Sequence, residues 1–320
     1  MRNYIIRRVL LMIPTLFLVS VVVFLTIRLI PGSVIEIMAL EMGQTSTGEQ
    51  LDLDAIREAL GMNAPPHIQY AHWMRNIILH GDFGNSLWSG RPVTGQIIAR
   101  LPVTFELGLL AFLIAQIIAI PIGLYSAIRQ DTFGDFLGRT FAILNLATPA
   151  FWLGTMIMVF PAIWWGWSPP MRYIPFVEDP MANLGQFLIP AAIMGTAMSA
   201  TTMRMLRTTM LEVLRQDYVR TAWSKGLRER IIVIRHAMRN ALIPVITIIS
   251  GQIPIMIGGA VIMEQIFSLP GMGRLFLDSI NRRDYPFVTG INIILATFGM
   301  VLILITDLSY AYLDPRVRYR

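Results

Sequence analysis

The sequence predicts an all-α membrane protein of about six transmembrane helices, and three observations carry that prediction. Hydrophobic residues make up 55% of the chain's 320 residues and charged residues only 14%, whereas a soluble domain carries about a quarter charged residues. Six apolar stretches reach the length of about 20 residues that crosses a bilayer core as helix: 9–30, 101–128, 140–165, 184–206, 240–262 and 287–313. Basic residues gather in alternate connections between these stretches, the bias that fixes membrane orientation.

The first stretch follows Arg2, Arg7 and Arg8. That flank is like a signal peptide's, but the apolar run is longer than a signal core and no small-residue cleavage site follows it, so it reads as an uncleaved anchor. Residues 31–100 then form a long polar connection with helix-like patches at 53–60 and 68–79, broken afterwards by Gly81, Gly84, Gly90 and Pro92. We expect a small extracytoplasmic subdomain here. The chain thus divides into 1–30, a short tip and first span; 31–100; and 101–320, a core of five spans. Several spans exceed the minimum length, so tilt or partial emergence is expected. Prolines 14, 121, 149, 161, 190, 244 and 254 fall in or at the ends of spans. They read as packing kinks relieved by neighbouring helices, with a hinge role open for Pro149 or Pro254.

With the N-terminus inside, cytoplasmic segments hold 17 Lys and Arg and external ones 8, while acids number 6 inside and 12 outside. The strongest contributors are the segment from Arg204 to Arg239 and the tail residues Arg316, Arg318 and Arg320. Both termini are therefore expected in the cytoplasm. The net charge of +6 follows from this bias and implies no nucleic-acid partner. Zero cysteines and four scattered histidines, His67, His72, His80 and His236, argue against a metal site, a disulfide framework or a cysteine nucleophile. The 20 methionines contain no Met-x-Met run and suit gap-filling in a helical core. No G-x-x-x-x-G-K-[ST] loop occurs, so no phosphate cradle of that kind is expected in this chain. No catalytic residue is assigned.

The cytoplasmic segment 207–239 carries the most information. Met210, Leu211, Leu214, Tyr218 and Ala222 recur at helical spacing, with Glu212, Arg215, Asp217 and Arg220 between them. Gly226 after Lys225 has the form of a helix C-cap, and a second helix is expected from near Arg228 towards Asn240. Such an element can lie on lipid as an interfacial helix, merely satisfy the charge bias, or dock into a cleft of a soluble partner.

The run Asp217-Tyr-Val-Arg-Thr-Ala-Trp-Ser-Lys-Gly226 resembles the cytoplasmic "EAA" loop of ABC importer permeases. Arg220-Thr221-Ala222 takes the place of the triplet, Gly226 keeps its spacing, and the glutamate is absent. With Arg235-His-Ala-Met-Arg-Asn240, it is similar to the oligopeptide/dipeptide branch of that family. So are Gly81-Asp-Phe-Gly-Asn-Ser86 with Arg91-Pro-Val93, Leu101-Pro-Val-Thr-Phe-Glu-Leu107, Pro149-Ala-Phe-Trp152, Glu264-Gln-Ile-Phe-Ser-Leu-Pro-Gly-Met-Gly-Arg274, Arg282-Arg-Asp-Tyr-Pro286 and Asp314-Pro-Arg-Val-Arg318. The resemblance implies a type I importer permease in a bacterial or archaeal cytoplasmic membrane. It implies a homologous second permease and two ATPase subunits, or one two-domain ATPase, that bind ATP and Mg, with no cofactor in this chain. An extracytoplasmic substrate-binding protein would deliver peptides; nickel chelates, glutathione and oligosaccharides are alternative cargoes. Asp217, Tyr218, Arg220, Thr221, Ala222, Trp223, Lys225 and Gly226 would couple to the ATPase. Tyr218 and Trp223 would be packing anchors, Arg220 and Lys225 rim contacts, and Ala222 would sit close to the partner surface.

Glu106 and Asp307 are ionisable residues within spans and therefore candidate polar contacts. A secondary transporter would need an inverted repeat around a midplane ion site, and no repeat relates the halves. A membrane enzyme would need a nucleophile–base pair, and Ser199–Thr202 with Glu106 is too little.

Overall fold

The computed structural model describes residues 2–29, 64–170 and 172–313. Its helices, in chain order, are α1 (Arg2–Leu29), α2 (Pro66–His80), α3 (Val93–Ile128), α4 (Phe133–Ala147), α5 (Ala150–Trp165), α6 (Pro180–Leu214) and α7 (Asp217–Ser224). There follow α8 (Glu229–Ile231), which passes through a π-turn at Ile232–Ala237 into α9 (Met238–Ile266), and then α10 (Met272–Asn281) and α11 (Tyr285–Leu313). Five of these helical runs are long and apolar enough to cross a membrane, and α4 with α5 makes a sixth if the bent pair is one span. The patch at 53–60 lies outside the described residues.

Two compact units emerge, Met1–Pro102 with Gly271–Val301, and Val103–Pro270 with Leu302–Arg320. In the first, α1 exposes Leu10, Ile13, Phe17 and Leu18, as a span facing hydrocarbon must. Thr15 and Thr26 turn their hydroxyls back onto the carbonyls of Leu11 and Val22, which keeps these polar groups bonded where no water is available. Helix α2 fulfils the expected helix at 68–79. Pro66 starts it, since a first-turn N–H has no helical partner to lose, and Gly81 ends it at φ +63°. It is bound to α1 by Ser20 with the Tyr70 hydroxyl at 2.7 Å and by Arg28 donating to Gln69 at 2.7 Å. Phe24 packs edge-on to Tyr70. Beyond Gly81, the chain turns back through Gly84 and Gly90 to start α3, whose Val93 and Ile97 pack on Met272, Leu275, Phe287 and Ile291.

In the second unit, close approach of backbones sets the packing. Ala111, Ala115 and Ala119 on α3 are fully buried. A Cβ on Gly195 of α6 would lie 2.8 Å from the Ala111 carbonyl, and one on Gly123 of α3 would lie 2.9 Å from that of Met203. Small residues of this kind let membrane helices pack by van der Waals contact where no hydrophobic force drives them together. Val103, Leu107, Phe187, Met194, Met263 and Phe267 fill the core beside that stripe.

The span expected at 140–165 is not one straight helix. It breaks between α4 and α5 with a 90° bend. Proline disfavours helical backbone in the residue before it and has no N–H to donate; here Thr148 is extended, at φ −95° and ψ 118°, ahead of Pro149. The next turn restarts with Leu153 donating to the Pro149 carbonyl at 3.1 Å. At its other end, α4 is capped by Thr132, which accepts from the Asp135 N–H.

A second correction concerns 210–223, read from its period as one helix. Helix α6 ends at Leu214, and α7 starts afresh at Asp217. No Pro or Gly breaks the chain there; Arg215 and Gln216 close 3₁₀-type bonds to Glu212 and Val213. The turn lets Val213 and Leu214 at the end of α6 meet Val219 and Ala222 of α7 around Ile232, contacts that a straight helix could not make.

Candidate functional site

Helix α7 is a short amphipathic helix between two long ones. Val219 is fully buried and Ala222 is 7% exposed, three residues apart on one face. Asp217, Tyr218, Arg220, Thr221, Trp223 and Ser224 are exposed. Exposed Thr221 and Ser224 bond locally, to the Asp217 and Thr221 carbonyls. Arg220 stands 3.5 Å from Asp217 with both side chains in solvent, a pair of little energetic weight. The exposed aromatics differ. Tyr218 accepts from Asn240 Nδ2 at 2.7 Å, so its ring is held against the start of α9, whereas Trp223 is 46% exposed.

The turn after α7 has the form that its sequence promised. Gly226 lies at φ +70°, and a Cβ there would meet nothing within 4 Å. Glycine is therefore required by backbone conformation and not by space. The Gly226 N–H bonds the Trp223 carbonyl at 2.9 Å and the Lys225 N–H that of Thr221 at 3.2 Å. Lys225, the chain's single lysine, is exposed beside it.

Ala222 is the exception among the expected surface residues. Its methyl is turned inward onto Val219 and Ile232, with Val213, Leu214 and Leu227 around them, so it seats α7 on its own chain. Val219 was not singled out in the sequence and does the same work. Through these contacts α7 is packed at once on the end of α6 and on the π-turn that leads into α9.

An ion pair braces the base of α6. Arg207 donates from Nε and Nη2 to the two carboxylate oxygens of Asp135, at 2.8 and 2.9 Å. Asp135 is fully buried, and Arg139 approaches it at 3.5 Å. The Asp131 N–H adds a bond at 3.0 Å, so the turn before α4 is tied to α6 seven residues before its end. Sequence reasoning missed this pair because 72 residues separate its members.

Glu106 is half-buried on α3. It faces Asn183, and its Oε1 is buried without a hydrogen bond. The structure does not bring it to α7. The side chain of Asp307 lies outside the described residues. Glu264, which the sequence placed in an external connection, is a fully buried residue of α9 and accepts from the Thr104 hydroxyl at 2.6 Å.

Two motifs far apart in the sequence form one anchor in the other unit. Ser86 donates to Asp284 Oδ2 at 2.5 Å and the Leu87 N–H to Oδ1 at 3.1 Å. Trp88 Nε1 donates to the Arg282 carbonyl at 2.8 Å. Beside this anchor opens a polar cavity of about 540 Å³, lined by Arg91, Arg100, Asp278 and Arg282 among others. Burial pushes the Asp284 carboxyl above its ordinary range, against the opposing pull of the Ser86 and Leu87 donors. A raised folded-state value means that its contribution to stability is present below the unfolded pKa and lost as pH rises through the folded one. Thermal melting of the purified protein in detergent, followed from about pH 4 to about pH 8, is expected to show that loss. Asp284→Asn, which cannot ionise, is expected to flatten it; an unchanged slope in the variant would assign the pH dependence elsewhere.

Comparison with known proteins gives a consistent result over the whole length. Residues 119–319 match the model of the family described as "Binding-protein-dependent transport system inner membrane component", and residues 1–108 match that of its N-terminal region. The chain is 38% identical over 323 residues to the oligopeptide transport system permease protein AppB of Bacillus subtilis, covering all of both chains. It is 36% identical over 324 residues to the glutathione transport system permease protein GsiC of Pectobacterium atrosepticum, again over all of both. A crystal structure of an amino acid ABC transporter with histidines superposes at a TM-score of 0.50 and 15% identity, covering 70% of this chain and 95% of that one; the likeness is one of fold.

Proposed function

The chain belongs to the family of binding-protein-dependent transport system inner membrane components, and on that premise we propose that it is the permease subunit of an ATP-driven importer of peptides. The observation that carries the reading is full-length similarity, at more than a third identity, to permeases named for oligopeptide and glutathione transport. Both cargoes are peptides. In this reading, the chain pairs with a homologous permease around the transport path and receives its cargo from an extracytoplasmic binding protein. ATP and Mg bind to separate ATPase subunits.

Helix α7 is the proposed contact with the ATPase. Its outer face offers Trp223 and Tyr218 as aromatic anchors, the kind of side chain that dominates binding energy at interfaces. Asp217, Arg220, Thr221, Lys225 and Gly226 form the rim. Its inner face, Val219 and Ala222, grips the ends of two spans, so a displacement of α7 is delivered to α6 and α9 together. The competing idea, a helix resting on lipid, has less support. Of six exposed residues in α7, Asp217 and Arg220 are charged and Thr221 and Ser224 are polar, which leaves no broad apolar face to bury in a bilayer.

The test is uptake of labelled peptide into proteoliposomes. Transport is expected only when this chain is accompanied by the second permease, the ATPase and the loaded binding protein with ATP. Robust ion-driven uptake by liposomes holding this chain alone would overturn the proposal. Orientation is tested separately. The chain has no native cysteine, so single-cysteine variants label without background. In intact cells an impermeant maleimide is expected to reach Ser89→Cys and to miss Ser224→Cys; the reverse pattern would invert the topology.

A further inference from the structure

We propose that Arg139 and Arg204 form a binding site for the headgroup of an anionic phospholipid, with its acyl chain lying along one face of α4. The two arginines line a pocket of about 290 Å³ together with Arg207, Thr208 and Ile143. Three guanidiniums thus converge where one carboxylate, Asp135, is buried. Arg207 takes both oxygens of that carboxylate. Arg139 is left at 3.5 Å from it, with its Nε buried and making no hydrogen bond. Arg204 is exposed and partnerless among the described residues. Arg139 Nε is turned towards Asp135, and the rest of its side chain, 42% exposed, lines the pocket with Arg204, so positive charge there exceeds the one buried carboxylate.

The surroundings select a lipid over a free anion. Phe136, Arg139 and Ile143 follow one another at helical spacing on α4, so the charged side chain sits between two apolar ones. Phe136 is 57% exposed and Ile143 61% exposed. The basic pocket lies in the last third of α6, beside α4 of the bent pair; a helix of 35 residues is longer than the roughly 30 Å hydrocarbon core, which brings this part of α6 near its boundary. A phosphodiester at Arg139 and Arg204, with an acyl chain over Phe136 and Ile143, satisfies both halves of the surface. Basic pockets between membrane helices at that depth suit anionic headgroups. Only the leaflet rests on the orientation proposed above, so a reversed topology would relocate the site without removing it.

The experiment is lipid retention by the full chain, purified in mild detergent with the subunits that accompany it. Phosphatidylglycerol and phosphatidylcholine are titrated in and counted by native mass spectrometry. The wild type is expected to hold one phosphatidylglycerol in preference to phosphatidylcholine. Arg139→Gln with Arg204→Gln is expected to bind it roughly thirtyfold more weakly, from the usual contribution of two basic residues near a membrane surface. Arg139→Lys with Arg204→Lys keeps the charge and is expected to restore most of the affinity. A melting temperature equal to the wild type's would show that the Gln variant is folded. Equal retention by the folded Gln variant, or equal retention of the two lipids by the wild type, would overturn the proposal. Displacement of the lipid by millimolar inorganic phosphate would overturn it too, by revealing a free-anion site.

Discussion

Ala222→Trp is expected to cut stimulation of ATP hydrolysis by the loaded binding protein sharply while leaving the chain inserted in the membrane and paired with the proposed partner permease. Ala222 packs inward against Val219 and Ile232, and it is 7% exposed. An indole has no room there. Overpacking of a filled site costs about 1–3 kcal/mol for modest additions, and α7 can escape that cost by lifting off the ends of α6 and α9. Apolar contacts with α7 involve only the ends of the two spans, Val213 and Leu214 of α6 and Ile232 before α9, so insertion should survive. Stimulation of hydrolysis and retention of ATPase on purification should each fall by roughly 5- to 150-fold, the equivalent of those energies. Ala222→Ser, nearly the same size, is the control and should retain most activity. Wild-type stimulation in the tryptophan variant would mean that the seat of α7 has no part in coupling.

Arg207→Gln should produce the largest loss of stability of any single substitution discussed. It leaves the Asp135 carboxylate, fully buried and bonded at 2.8 and 2.9 Å, without its principal counter-charge. Removing one member of a buried pair costs about 3–5 kcal/mol, because the remaining charge is stranded. Arg139, already within 3.5 Å, can relieve a part of it. Melting in detergent is expected to fall by roughly 5–15 °C. The double variant Asp135→Asn with Arg207→Gln removes the stranded charge and should recover more than half of that drop. A double variant no more stable than the single one would show that Arg207 acts through packing.

These two residues illustrate what the sequence could and could not reveal. Hydropathy located the five unbroken spans among the described residues, because the length of an apolar run is set by bilayer thickness and needs no tertiary information. Gly226 was legible for a similar reason. A glycine after a basic last turn reports a local backbone requirement, and the structure has it at φ +70°. The break at Arg215 and Gln216 was not legible. Neither residue opposes helix, and the turn exists because Val219 and Ala222 find a better apolar partner in Ile232 than a straight helix would give them. Pro149 was visible, but whether a proline kinks a helix or ends it depends on what packs beyond it, and here the direction changes by 90°. Pairings across long separations were invisible one residue at a time. Asp135 with Arg207 spans 72 positions and Ser86 with Asp284 spans 198. The second pair joins two motifs that had been recognised singly, without any sign that they were parts of one anchor.

The central claim is that the outer face of α7 meets the ATPase, and site-specific photo-crosslinking tests it most directly. A benzophenone side chain is introduced in place of Trp223, which is 46% exposed, and separately in place of Ile143, which is 61% exposed on α4. The complex is irradiated in its native membrane. The account predicts a covalent adduct between the ATPase subunit and the chain carrying the probe at position 223, and none at position 143. Adducts to lipid alone at position 223 would contradict it and return α7 to the membrane surface.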